Sequence, residues 1–130
     1  MDCIGCKMVE IKYNKRCRII TGDYEREGIF RGVEPFSPKE ILSLPDEVLK
    51  HVDPTTLLKP SATFIYHSQH RPQMEIFELE ELTEDITRND IPTFIARETG
   101  VFPLYGVEGL VARYHLWKAG ITKEIGQKGK

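Results

Sequence analysis

The chain has 130 residues, of which 40% are hydrophobic and 29% charged, and its formal net charge is −2. This length fits one domain and excludes two. No apolar run reaches the roughly 18 residues that span a bilayer, so a membrane helix is excluded. Because the first residues lack the apolar core of a secretory signal, we expect an intracellular, cytoplasmic protein.

Charge is distributed unevenly along the sequence. Residues 75–90 hold seven acidic side chains and one basic one, whereas segments 1–32 and 91–130 are net basic. A solvated surface is the simplest interpretation of the acidic segment. The alternative is head-to-tail assembly, in which this segment meets a basic end of a neighbouring subunit. The residues that we select for such an interface are Glu80, Glu81, Glu84 and Asp85.

All three cysteines, Cys3, Cys6 and Cys17, lie near the start of the chain. Their odd number argues against a disulfide framework. A redox role is disfavoured because a reactive Cys-x-x-Cys pair sits at a helix N-terminus, and this pair leads into a strand-like segment. Three thiolates with His67 or His70 as the fourth ligand would suit zinc. The alternative is free thiols, with Cys17 packed as a small apolar residue.

The first strands form a predicted antiparallel meander. Segments 8–13, 17–20 and 29–33 have the alternating or β-branched character of strands, and the polar residues 21–28 predict a loop between the last two.

Residues 18–35 resemble the KOW motif of small β-barrels, in which two strands flank a loop of the form Gly-x-Tyr/Phe-x-x-x-Gly, here residues 22–28. The resemblance implies a small barrel, and proteins with this motif bind RNA, ribosomes, RNA polymerase or other proteins. Because the loop is acidic at Asp23, Glu25 and Glu27, we carry over the barrel shape and not an RNA partner.

Helix signals follow the meander. Ser37 as a cap, Pro38 at the first helical position and Glu40 three residues after the cap start a run of three short helices in 37–59. Segments 63–67 and 74–79 predict a hairpin, and Leu82 and Ile86 a short helix. Segment 91–97 predicts an edge strand, because Pro92 has no amide donor.

The clearest helical pattern spans 106–119 and ends at Gly120. Its apolar residues Val107, Leu110, Val111, Tyr114 and Trp117 share one stripe. Such a stripe is most simply part of the core. Because it carries the only tryptophan and follows the aromatic loop 102–105, a docking surface is the alternative.

No nucleophile elbow, Walker loop or dinucleotide-binding glycine motif occurs. The one cluster with chemical potential is Tyr66, His67, His70 and Arg71 in the predicted hairpin loop. Two imidazoles beside a guanidinium would bind phosphate or relay a proton. Exposed polar loop residues are the simpler interpretation.

Together these features predict an α+β fold: a small antiparallel β-barrel of about five strands (8–33 and 62–97), inserted short helices (37–59) and a C-terminal helix (106–119). They would form a single compact domain over 1–122, followed by a flexible basic tail at 123–130.

We expect a non-enzymatic protein–protein interaction or assembly subunit of a larger oligomeric complex, for example a viral or phage particle connector, without a cofactor. Its interface would combine the acidic residues above with Phe102, Leu104, Tyr105, Tyr114, Trp117 and Lys118.

Two alternatives stay open. One is a zinc-stabilised module that binds nucleic acid or the transcription or translation machinery through its cysteines, one histidine, and the basic residues Lys12, Lys15, Arg16 and Arg18. The other is a small phosphoesterase centred on His67 and His70.

Overall fold

The computed structural model describes residues 15–32, 35–59 and 61–123. Its strands are β1 (Lys15–Thr21), β2 (Tyr24–Phe30), β3 (Ser61–Ser68), β4 (Arg71–Glu78), β5 (Leu82–Glu84), β6 (Thr93–Ala96) and β7 (Val101–Pro103). Its helices are α1 (Pro38–Leu42), α2 (Asp46–His51), α3 (Pro54–Leu57) and α4 (Gly106–Lys118), and Leu79–Glu81 forms a 3-10 turn. The predicted strand at 8–13 and the tail beyond residue 123 lie outside the described residues.

The seven described strands form one sheet in the order β5-β6-β1-β2-β3-β4-β7, with all neighbours antiparallel except β1 and β6. The sheet curls, because Leu82 of β5 and Phe77 of β4 lie far apart in this order and yet belong to the same buried cluster. The α+β class is therefore confirmed. The architecture is a seven-stranded half-barrel, however, and not a closed barrel of about five strands.

An aromatic core fills the concave face of the half-barrel. Phe30, Phe64, Phe77 and Phe94 are each at most 2% exposed. The Phe30 ring centroid lies 5.9 Å from that of Phe64 and 5.2 Å from that of Phe94. Burial of each such ring contributes roughly 1.5–3 kcal/mol, which makes this core the main stabilising feature of the sheet.

Strand β2 covers residues that the sequence predicted to be a loop. The charged residues fit a strand because alternate side chains face opposite sides of a sheet. Glu25 and Glu27 lie on the convex face and form ion pairs with arginines, whereas Arg26 is buried on the concave face. The turn itself contains only Gly22 and Asp23, and Gly22 has a φ of +59° that favours glycine.

Arg26 forms a buried ion pair with Glu75 across the intervening strand β3. Its Nε and Nη2 donate to the two carboxylate oxygens at 2.6 and 2.7 Å. The remaining N–H groups donate to Thr21 Oγ1 and to the carbonyls of Ile19 and Tyr24. All five donors of the guanidinium therefore have an acceptor, and its rigid fork fixes the spacing of β2 and β4.

The short helices pack on the other side of the sheet. The capping box predicted at the start of α1 is present, with Ser37 Oγ accepting from the Glu40 amide at 3.2 Å and the Glu40 carboxylate accepting from the Ser37 amide at 2.9 Å. A second core lies between α2, α4 and the convex face of β4, and its buried members are Val48, Met74, Phe102, Leu104 and Ala112.

The segment after β4 differs from its prediction. Residues 82–84 form strand β5 and not a helix, because Leu82 enters the concave core. Strand β6 lies between β5 and β1 and is not an edge strand. Pro92 is tolerated since it precedes the strand, where its carbonyl accepts from the Arg18 amide at 2.9 Å.

Candidate functional site

Helix α4 packs on the sheet through its small residues. Gly109 and Ala112 are buried with Leu116 on one side of the helix. A Cβ added at Gly109 would lie 3.1 Å from the Leu104 carbonyl oxygen and 3.4 Å from Cγ of Pro72. The small side chains therefore allow the helix backbone to approach the end of β4 closely.

The large apolar residues of α4 lie on its exposed side. We call Val107, Leu110, Val111, Tyr114 and Trp117 the α4 stripe, and they are 43% to 72% exposed. The Tyr114 and Trp117 ring centroids lie 6.1 Å apart, and Nζ of Lys118 lies 5.8 Å from the Tyr114 centroid. The sequence pattern most simply places this stripe in the core. The structure places it on the surface, because the side of α4 that carries Gly109 and Ala112 contacts the sheet.

A cleft of about 520 Å³ borders the stripe. Its apolar lining comes from the segment between α1 and α2, from β3 and β4, and from α4, and includes Leu44, Pro45, Ile65, Met74 and Leu104. Val107 and Val111 line the cleft and also belong to the stripe. The α4 stripe and the cleft therefore form one continuous apolar surface. Such a surface differs from single exposed hydrophobic residues, which are common on proteins.

The other residues selected for an aromatic interface separate into two groups. Phe102 and Leu104 are each 7% exposed and belong to the core between α2, α4 and the sheet. Phe102 is buried because β7 pairs with β4 and places it opposite Met74. Tyr105, which is the N-cap of α4, is 51% exposed. Tyr105 is therefore on the surface, whereas Phe102 and Leu104 belong to the core.

Several side chains of the acidic segment are used within the protein. Glu75 binds Arg26, and Asp90 accepts from Arg18 at 2.8 Å. Glu81 accepts from the Glu78 amide at 2.9 Å, and Asp85 caps a turn by accepting from the Thr87 amide at 3.1 Å. These contacts explain much of the acidic run as local structure and ion pairing.

Two of the four basic residues of the nucleic-acid alternative, Arg16 and Arg18, are neutralised by carboxylates, whereas Lys15 is exposed and has no ion pair among the described residues. Arg18 binds Glu25, Glu27 and Asp90 at 2.8 to 3.0 Å, and Arg16 binds Glu27 at 3.1 Å. The Arg18 guanidinium lowers the pKa values of Glu27 and Asp90, chiefly through its hydrogen bonds. Lys12 lies outside the described residues.

The β3–β4 hairpin brings His67 close to an arginine that the sequence pattern did not indicate. His67 lies on the convex face, since Tyr66 belongs to the concave core and neighbouring residues alternate. Arg113 of α4 donates from Nη2 to the His70 carbonyl at 3.4 Å. Burial lowers the pKa of His67, and the positive charges of Arg113 and His70 lower it further.

The turn that carries His70 has an uncommon backbone. Gln69 and His70 have φ angles of 53° and 67°, in the left-handed region that glycine or asparagine usually occupies. A two-residue hairpin turn of type I′ requires positive φ at both central positions. His70 is exposed in this turn.

The predicted zinc ligands do not come together in the described part of the fold. Cys17 is fully buried in the concave core, and burial raises the pKa of its thiol. His67 lies on the convex face, so one ion cannot bind both side chains. Cys3 and Cys6 lie outside the described residues, and among residues 15–32, 35–59 and 61–123 no group of three potential metal ligands is found.

Comparison with protein-family models, curated proteins and solved structures finds no match to this chain. The KOW resemblance of residues 18–35 therefore stays a prediction. No helix in the described segments is long and apolar enough to cross a membrane. The fold and the surface of α4 thus define the class as a mixed α+β half-barrel with an exposed apolar helix.

Proposed function

We propose that this chain is a non-enzymatic assembly subunit that pairs with a second copy of itself through the α4 stripe. The observation that carries the proposal is the stripe itself: five large apolar side chains on one side of a helix, all substantially exposed. Exposed patches of this kind mark interaction sites, and tyrosine and tryptophan are the residues that most often dominate binding energy there.

A second copy fits the stripe because the stripe is nearly symmetric about its middle. When two copies of α4 pack antiparallel, Val107 lies opposite Trp117 of the other copy, and Leu110 lies opposite its Tyr114. Four of the five stripe residues thus meet an apolar partner of the same stripe, as a two-fold interface requires, and Val111 lies opposite position 113. The cleft beside Val107 and Val111 offers room for side chains of the second copy.

Charge favours the same arrangement. Glu108 lies in the first turn of α4 and Lys118 in its last turn, and both are exposed. Antiparallel packing brings Glu108 of each copy near Lys118 of the other and also opposes the two helix dipoles. Parallel packing would bring like charges together at both ends.

Sedimentation velocity of the purified chain over a range of concentrations tests the pairing. We expect a dimer, and we expect Leu110→Asp and Trp117→Asp to convert it to a monomer that remains folded by circular dichroism. Ile86→Asp is the matched control, because Ile86 is 78% exposed and is not part of α4. A wild-type chain that stays monomeric at all concentrations, or a dimer that survives both stripe variants, would contradict the proposal.

A charge swap tests the antiparallel register. Glu108→Lys alone and Lys118→Glu alone should weaken the dimer, whereas the double variant should recover it, since the pairs are then reversed and not lost. Reversal of Glu80 and Glu84 distinguishes the head-to-tail alternative. That change should leave an α4 dimer intact, and loss of association would assign the interface to the acidic segment.

A further inference from the structure

A cluster of basic side chains lies where α4 crosses the end of the β3–β4 hairpin. It consists of His67 on β3, His70 at the turn and Arg113 on α4, whereas Arg71, which pairs with Ser68, belongs to the concave face. The His70 carbonyl joins the cluster, because it accepts from Arg113 Nη2 at 3.4 Å and also hydrogen-bonds His67. Three separate elements therefore position these side chains.

The cluster lacks a balancing negative charge. Arg113 forms no ion pair with a described carboxylate. The groups that act electrostatically on His67 are Arg113 and His70, and both lower its pKa, whereas a nearby carboxylate would raise it. This differs from Arg18, Arg26 and Arg31 elsewhere in the fold, each of which is paired with a carboxylate.

Arg113 also has an unused donor within the fold. Its Nε is buried, and no hydrogen-bond acceptor lies within reach of it among the described residues. A buried N–H without an acceptor costs about 1–3 kcal/mol, so native structures rarely keep one unless a ligand or water uses it. An anion bound beside His67 would supply the missing negative charge, and a shift of the Arg113 side chain toward that anion would give its buried Nε an acceptor.

We propose that His67, His70 and Arg113 form a binding site for a phosphate-type oxyanion, either free phosphate or the phosphate group of a small ester. Guanidinium groups bind phosphate oxygens through charge-assisted hydrogen bonds. His67 adds a donor that becomes cationic when a second negative charge is present, which favours a dianion over a carboxylate. The site is independent of the α4 stripe, since neither His67 nor Arg113 belongs to it.

The test is an NMR pH titration of the imidazole signals with and without inorganic phosphate, at constant ionic strength maintained with sodium chloride. Bound phosphate favours imidazolium, so we expect the pKa of His67 to rise saturably with phosphate concentration. Phosphoserine is titrated in parallel to distinguish the two sources. Tighter binding of phosphoserine would identify a phosphate ester as the ligand, and tighter binding of inorganic phosphate would identify free phosphate. Acetate should have a smaller effect, and an equal effect would contradict the assignment to phosphate.

Variants make the test specific. Arg113→Gln should lower the affinity for phosphate at least tenfold, and the pKa of His67 in phosphate should then resemble its pKa in chloride alone. Arg97→Gln removes the same charge from an exposed site beyond β6 and should leave binding unchanged. The proposal is overturned if neither phosphate nor phosphoserine moves the titration of His67, or if Arg113→Gln, folded by circular dichroism, binds as well as the wild type.

Discussion

Replacing Glu75 with glutamine leaves the Arg26 guanidinium buried without a counter-charge. The Glu75 side chain is fully buried and that of Arg26 is 4% exposed, so water cannot replace the carboxylate. Two unit charges about 4 Å apart attract by about 4 kcal/mol at an effective dielectric constant of about 20. Measured losses on breaking one side of a buried pair are about 3–5 kcal/mol. We therefore expect Glu75→Gln to lower the free energy of unfolding by about 3–5 kcal/mol, a large part of the 5–15 kcal/mol typical of a domain.

Urea unfolding followed by far-ultraviolet circular dichroism measures this loss. Glu80→Gln is the matched control, because Glu80 is exposed and the chemical change is the same; its effect should stay within about 0.5 kcal/mol. The double variant Arg26→Met with Glu75→Leu should recover most of the stability, since no charge is then left unpaired. A Glu75→Gln protein within about 0.5 kcal/mol of the wild type would refute the reasoning. A double variant as unstable as the single one would assign the loss to packing.

Two further changes probe the strands around this pair. Gly28→Ala should lower the free energy of unfolding by about 1–3 kcal/mol in the same urea assay, because an added Cβ would collide with the Ile65 carbonyl and with Cβ of Tyr66. Gly100→Ala, whose Cβ would lie at an ordinary 3.8 Å from Phe102, should change it little. The pKa values of Glu27 and Asp90 are lowered in the folded protein. Their contribution to the free energy of unfolding is therefore complete above their ordinary pKa values of 4.5 and 3.8, and it is lost as the pH falls through the lower pKa values of the folded state. Unfolding free energy measured from pH 6 downward should thus fall less steeply in Arg18→Gln than in the wild type, and equal slopes would contradict this role of Arg18.

The sequence predicts α4 well and the orientation of α4 poorly. A helix over 106–119 was expected, and Gly106–Lys118 is observed, because its apolar spacing and the terminal Gly120 are local signals. The same spacing cannot say which side of a helix meets the sheet. Gly109 and Ala112 carry little hydrophobic signal, yet their small size is what permits close packing on β4.

Strand β2 was missed because its stabilising partners are distant in sequence. Residues 24–28 look like a polar loop when taken alone. Arg26 is compatible with the concave core only because Glu75, 49 residues further along, meets it there. Long-range ion pairs of this kind leave no periodic signal in a single sequence.

The histidine cluster was predicted in part for a similar reason. His67 and His70 are close in sequence and the hairpin turn keeps them together, whereas Arg71 belongs to the concave face. Arg113 joins them only because α4 crosses the end of the hairpin. Its position beside an apolar stripe gives it the appearance of an ordinary solvated helix residue.

The two sides of α4 separate folding from association. Gly109, Ala112 and Leu116 hold the helix on the sheet, whereas the residues of the α4 stripe make no comparable contact with the buried cores. Large apolar residues that remain exposed add little to the stability of the single chain, since their transfer from water is incomplete. Aspartate at Leu110 should therefore weaken pairing while changing the stability of the monomer by less than about 0.5 kcal/mol, whereas leucine at Gly109 should unfold the helix from the sheet. If both substitutions destabilised the monomer equally, the stripe would belong to the core and the proposed interface would have no independent support.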